Sequence, residues 1–256
     1  MLFLGICALL FAASVWGTIA WSLSMATMDD MPMPGNWAMS MVWMRVPGRS
    51  WLEAAAAFLG MWTVMMVAMM LPSLLPMLWR FREAAARAGG APPGPLTTLA
   101  GLGYFILWTA IGMLVYPLGV ALAAIEMREP AVARFVPFLS GVVVLAAGAL
   151  QFSAWKAGQL ACCRGTSLTH RLNPPVDALA AIRHGLRLGL RCAQCCAGPM
   201  AVLLALGVMD LRAMGLVSAA ITAERVAPAG RRVAQGLGVV MVSAGALLVV
   251  QALMPG

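Results

Sequence analysis

AAAAFLGMWTVMMVAMMLPSLLPMLW, Ala54 to Trp79, decides the fold: it runs for 26 residues without one charged side chain. A helix needs about 20 mostly apolar residues to cross a bilayer. Soluble helices are interrupted by polar positions every turn or two, and this one is not. The same reading extends in both directions. Further apolar segments run from Leu2 to Leu23, Leu99 to Ile125, Phe135 to Trp155, Leu186 to Val208 and Val233 to Leu253. Leu211 to Ala223 is a shorter and weaker one. The expectation is an all-α, polytopic transmembrane bundle of about seven spans, or six without the weak segment, forming a single domain over residues 1–256.

Composition agrees. The 256 residues are 62% hydrophobic and 10% charged, with mean hydropathy +0.89. A soluble domain carries about a quarter charged residues, so this chain has too little polar surface to face water all round. Leu2 to Leu23 lacks a charged n-region, and its apolar run exceeds a usual signal-peptide core. It is expected to be retained as a helix.

The net charge of +8 reads as an orientation signal. With the N-terminus inside, the cytoplasmic loops hold Arg80, Arg82, Arg87, Lys156, Arg164, Arg171, Arg183, Arg225, Arg231 and Arg232. The opposite side holds Arg45, Arg49, Arg128, Arg134 and Arg212. That bias places the N-terminus in the cytoplasm of a bacterial inner membrane. No basic run interleaves with stacking aromatics, so nucleic acid is not an expected partner. AGGAPPGPL, Ala88 to Leu96, and LNPPVD, Leu172 to Asp177, break the chain between helices. Gly141 with Gly148, and Gly236 with Ser243, offer small faces for close packing.

Four constellations bear on chemistry. Met61, Met65 and Met69 recur every four residues on one face of the second segment, with Met66, Met70 and Met77 on a neighbouring stripe. Thioethers are soft, uncharged ligands that select Cu(I) and can be buried without burying a charge. The plain alternative is that flexible Met fills a helix interface. Pro72 should loosen the helix just beyond, with Ser73 placed to satisfy a freed carbonyl.

The loop over residues 24–52 is extracytoplasmic in this orientation and dense in methionine. Met28, Met31 and Met33 beside Asp29 and Asp30 look like a soft capture site with two hard oxygens. An interfacial segment anchored by Trp37 and Trp43 explains the same composition.

RCAQCCAGPM, Arg191 to Met200, is the most specific. Cys192, Cys195 and Cys196 stand at i, i+3 and i+4, which should turn three thiols one way. Thiolate suits Cu(I), with zinc as the alternative. Arg187 and Arg191 lie a turn toward the cytoplasm. The bland reading is three small residues filling an interface.

Last, Cys162 and Cys163 follow the fourth segment, with His170 and His184, the two histidines of the chain, in the same cytoplasmic loop. Cytosolic thiols stay reduced, which favours metal over a structural bridge. Cys7, alone in the first segment, reads as filler.

In combination, MWTVMMVAMMLPS, GYFILWTAIG, the Cys pair and RHGLRLGLRCAQCCAGPM followed by GVMDLRAM resemble a family of bacterial polytopic proteins, described as predicted metal-binding integral membrane proteins. The resemblance spans roughly Ala54 to Val250. It implies functional positions at Met65, Met66, Met69, Met70, Pro72, Ser73, Cys192, Cys195 and Cys196. The adjacent Cys162 and Cys163 depart from it, because the family spaces that pair apart.

No paired carboxylates, no serine–histidine–acid set and no glycine-rich nucleotide loop are present, so an enzyme is not expected. No run of buried Asp, Glu or His crosses the segments, which argues against a proton pump. The leading expectation is a protein that binds Cu(I) and transfers or transports it, from Met28 to Met33, along Met61, Met65 and Met69, to the three thiols. A lipid bilayer, the metal ion, and a metallochaperone or a larger membrane complex are the expected partners. Two other readings stay open: a membrane thiol redox protein with a Cys192–Cys195 disulfide, and a structural subunit of a complex.

Overall fold

A computed structural model describes residues 2–26, 31–34, 37–45, 48, 50–88, 92–163 and 177–254. The architecture is helical: α1 (Leu2–Ala26), α2 (Trp51–Ala88), α3 (Pro93–Arg128), α4 (Pro130–Leu150), α5 (Ala154–Cys163), α6 (Ala178–Leu206), α7 (Leu211–Val226) and α8 (Gly230–Leu253). A small hairpin of β1 (Met31–Met33) and β2 (Trp37–Met39) interrupts the series between α1 and α2. Six helices, α1, α2, α3, α4, α6 and α8, are long and apolar enough to cross a membrane.

Local signals fix the helix ends. Ser50 and Glu53 form a reciprocal capping box on α2: Ser50 N–H donates to Glu53 Oε2 at 2.8 Å and Glu53 N–H to Ser50 Oγ at 3.2 Å. Pro93 and Pro130 open α3 and α4 at the first helical position, where a missing N–H costs nothing. Asp177 and Asp210 cap α6 and α7. Gly207 ends α6 at φ 124°, a conformation that a side chain disfavours.

Two expectations need correction and one is refined. The weak Leu211 to Ala223 segment forms α7, a helix of 16 residues, shorter than the six long apolar helices, as the six-span alternative allows. It runs alongside α2 in the same direction: Ser218 bonds to Met69 and Arg225 to Ser73. The Phe135 to Trp155 segment is broken, because the helix stops at Leu150 and restarts at Ala154. Gln151 and Lys156 turn inward at that break to meet Glu224. Of the small residues, Gly141 and Gly148 do pack against α8, at Val249 and Val242, but Gly236 faces open space. Gly238 and Gly245 make the contact on the α8 side instead.

The core lies between α2, α3, α6 and α7. Its tightest joint is the α3–α6 crossing. A Cβ on Gly185 would collide with the Ala100 carbonyl, and one on Gly103 with the Ile182 carbonyl. Glycine there lets two backbones touch, the small-residue solution of helices packed in lipid.

Candidate metal centre

α2 carries the methionine stripe inward. Met61, Met65, Met66, Met69 and Met70 are all buried in the main core, none more than 5% exposed. From Met61 to Met70 the stripe covers about 14 Å of helix at 1.5 Å per residue. Its far end meets α6. Met70 Sδ lies 4.0 Å from Cys192 Sγ, and Cys192 Sγ lies 4.0 Å from Cys196 Sγ. Three sulfurs placed about 2.3 Å from one ion in a plane stand about 4 Å apart. Two separations of that length meet at Cys192, a spacing compatible with soft-donor ligation. Among the described residues, no three His, Cys, Asp or Glu side chains gather as a metal site; the third side chain beside the two thiols is methionine.

Cys192 is also the focus of two hydrogen-bond donors. Tyr104 Oη donates to its sulfur at 2.9 Å, and Arg225 Nη1 at 3.0 Å. Both donors are buried. Arg225 Nη1 also donates to Ser73 Oγ at 3.0 Å, and Nη2 lies 3.5 Å from Met77 Sδ. Arg225 Nε has no partner among the described residues. Ser73 in turn donates to the Met70 carbonyl at 3.0 Å. The carbonyl freed by Pro72 belongs to Ala68, four residues back, so Ser73 does not serve it. It ties Arg225 to the Met70 backbone.

The three thiols do not face one way. Cys192 and Cys196 sit in the main core, whereas Cys195 belongs to a separate cluster with Leu160, Cys163 and Ala234. Helical geometry explains the split: adjacent residues project about 100° apart, and α6 is packed on both sides. Cys163 and Cys195 pack in that one cluster, and Cys163 Sγ donates to the Arg191 carbonyl at 3.2 Å. Cys162 is half-buried on another face of α5, so the adjacent pair does not chelate as a unit. The Cys192–Cys195 disulfide gains no support, since each thiol has a different neighbour. Every cysteine is free, and Cys7 is buried on α1.

His184 is on α6, not in a loop. Its ring stacks on Phe81 at 4.9 Å, and eight residues separate it from Cys192, about 12 Å of helix rise. It is not brought to the thiols. Met28 and His170 lie outside the described residues. Met31 and Met33 stand opposite Met39 and Trp37 in the hairpin. That hairpin is pinned to the far end of α4, where Trp37 Nε1 donates to the Ala133 carbonyl at 2.9 Å. Gln151, beside the Cys195 network, is 18 residues further along, about 27 Å of helix. The hairpin thus sits at one end of the bundle, while Cys192 stands midway along α6. The buried methionine stripe runs between them, and Trp43, Phe58, Trp62 and Tyr116 pack together at its hairpin end.

A second network adjoins the sulfur cluster. Lys156 Nζ pairs with Glu224 Oε2 at 2.7 Å and donates to the Cys195 carbonyl at 2.6 Å. Gln151 Nε2 donates to Glu224 Oε1 at 2.8 Å. Lys156 and Arg225, read from sequence as loop charges, are therefore interior. Tyr104, Glu224 and Arg225 join this site without belonging to the methionine or cysteine motifs. The signal that marks two of them is Glu224-Arg225 inside an apolar run, since charge at membrane depth is functional by default.

A protein-family model described as PpoB2: Copper chaperone matches residues 59–248. No curated protein matches the chain, and no solved structure does.

Proposed function

The chain belongs to the PpoB2 copper chaperone family, and from that premise we propose that it binds Cu(I) at Cys192, Cys196 and Met70 and hands it on within a membrane. The observation that carries this is the pair of 4.0 Å sulfur separations at Cys192, which suit a three-sulfur soft-metal site. Copper is the cargo, not a resident cofactor, and the protein acts as a carrier without an enzymatic step. Ligand binding releases the thiol protons. The burial of Met61, Met65, Met66 and Met69 in line with the site supports a thioether path from the hairpin end. Thioethers in series bind weakly enough to let an ion leave. Met28, Met31 and Met33 are the entry ligands in this scheme. Cys163 and Cys195, the next thiols beyond Cys192, are the exit, toward a metallochaperone or a larger complex at the cytoplasmic face of a bacterial inner membrane.

The test is the metal content of the detergent-purified full chain after separate loading with Cu(I) and Zn(II). Stoichiometric copper that is lost in C192S and in C196S, and kept in H184F, is the expected result. Equal copper in wild type and in the C192S/C196S double variant overturns the site.

One observation favours a second reading. Cys163 and Cys195 share one buried cluster, which suits a reversible disulfide formed by loss of two electrons and two protons to an external oxidant. Alkylation and mass spectrometry of the untreated protein separate the two readings, because a carrier leaves all six cysteines free after chelation.

A further inference from the structure

We infer that Arg225 makes the sulfur site selective for a monovalent ion by balancing its charge. The inference rests on Cys192, Cys196 and Met70 as the ligands. Binding Cu(I) through two thiols gives a complex of net charge −1 and two released protons: Cu(I) plus two RSH becomes [Cu(SR)2]− plus two H+. Met70 adds no charge. Zn(II) on the same ligands gives a neutral complex.

The surroundings decide which of these is tolerated. Cys192, Cys196 and Met70 are at most 1% exposed. A net charge there meets little solvent, and an uncompensated buried charge is costly. Arg225 is 7% exposed and permanently protonated. It forms no ion pair with a carboxylate among the described residues. Its partners among the described residues are Ser73 Oγ, Met77 Sδ and Cys192 Sγ. The neighbouring Lys156 and Glu224 pair with each other at 2.7 Å. Arg225 is the cation that touches a ligand sulfur, and counting it with the three ligands sets the balance. With Cu(I) bound, the centre sums to zero. With Zn(II) bound, it keeps a buried charge of +1. Thiolate softness already prefers Cu(I), and Arg225 adds an electrostatic preference that softness does not provide.

The same arrangement explains why the guanidinium donates to the ligand sulfur and not to a nearby carboxylate. Charge-assisted donors to sulfur hold the site ready for an anionic complex.

The experiment uses the full chain in detergent, with Cu(I), Ag(I) and Zn(II) titrated against chromophoric chelators. The proteins are wild type, R225K and R225Q. The expected result is that R225Q shifts the Cu(I)-to-Zn(II) affinity ratio toward zinc by about tenfold or more, in keeping with the cost of stranding a buried charge. Ag(I) should follow Cu(I), and R225K should stay near wild type. An unchanged ratio in R225Q overturns the inference while leaving the copper site intact. If R225Q does not fold, wild type still decides: Zn(II) held at these two thiols as tightly as Ag(I) overturns it. Wild type that binds no Cu(I) removes the copper reading and this inference together.

Discussion

Arg225 and Cys192 are 33 residues apart in the chain and 3.0 Å apart in space, guanidinium Nη1 to thiol Sγ. The contact joins α7 to α6, and through Ser73 it joins both to the methionine helix. A short helix with two adjacent charges is thereby part of the sulfur site and not a connector.

Tyr104 should matter through its hydroxyl alone. Y104F keeps the ring packing and removes the 2.9 Å bond to Cys192 Sγ. A hydrogen bond to a charged group contributes about 1.5–3 kcal/mol, so Cu(I) should bind about tenfold or more weakly while the melting temperature changes little. Chelator competition and a thermal melt on one sample check both halves.

The methionine stripe separates packing from ligation by a volume-conserving swap. Met-to-Leu changes in a core usually cost less than about 1.5 kcal/mol. M70L should therefore fold yet lose copper retention, and M65L with M66L should fold yet slow copper delivery in vesicles. Copper handling unchanged in all three would return these residues to the role of filler.

Lys156 and Glu224 should behave as a pair. Removing one partner of a buried ion pair costs about 3–5 kcal/mol, so K156M should unfold at markedly lower temperature. K156M/E224Q should recover much of that loss, because no buried charge is then stranded. The double-mutant cycle is read from melts of the purified variants.

Legibility from sequence divides along the type of interaction. The long helices and the methionine face follow from period and composition, and both Met66 and Met70 sit where a buried stripe predicts. The partition of the thiols does not. Residues 192, 195 and 196 share a broad face, but only the neighbours on each side, Met70 on one and Cys163 on the other, divide it. Arg225 and Lys156 are interior, not in loops, for the same reason. A charge near a helix end reads as a loop charge until a partner on another helix draws it inside, and that partner is a tertiary fact. His184 beside Cys-rich segments suggested a ligand, yet the Phe81 ring holds it elsewhere.

Glycine at the α3–α6 crossing should be intolerant of the smallest change. G185A places a methyl against the Ala100 carbonyl, and overpacking costs about 1–3 kcal/mol or more. G236A, with nothing near it, should be neutral or slightly stabilising, since alanine favours the helix by about 0.5–1 kcal/mol. Paired thermal melts show the contrast.

That glycine crossing has a mechanical meaning. Where two backbones rest on each other there is no slack, and α3 and α6 form the fixed jaw of the site. α7 is fastened differently, by the Ser218 bond to the Met69 carbonyl at 3.2 Å and by the fan of bonds from Arg225. Such a latch can be undone one bond at a time without disturbing the frame. On the proposed copper path, a chemical staple between α2 and α7 should halt copper exchange, while one between α3 and α6 should leave it running.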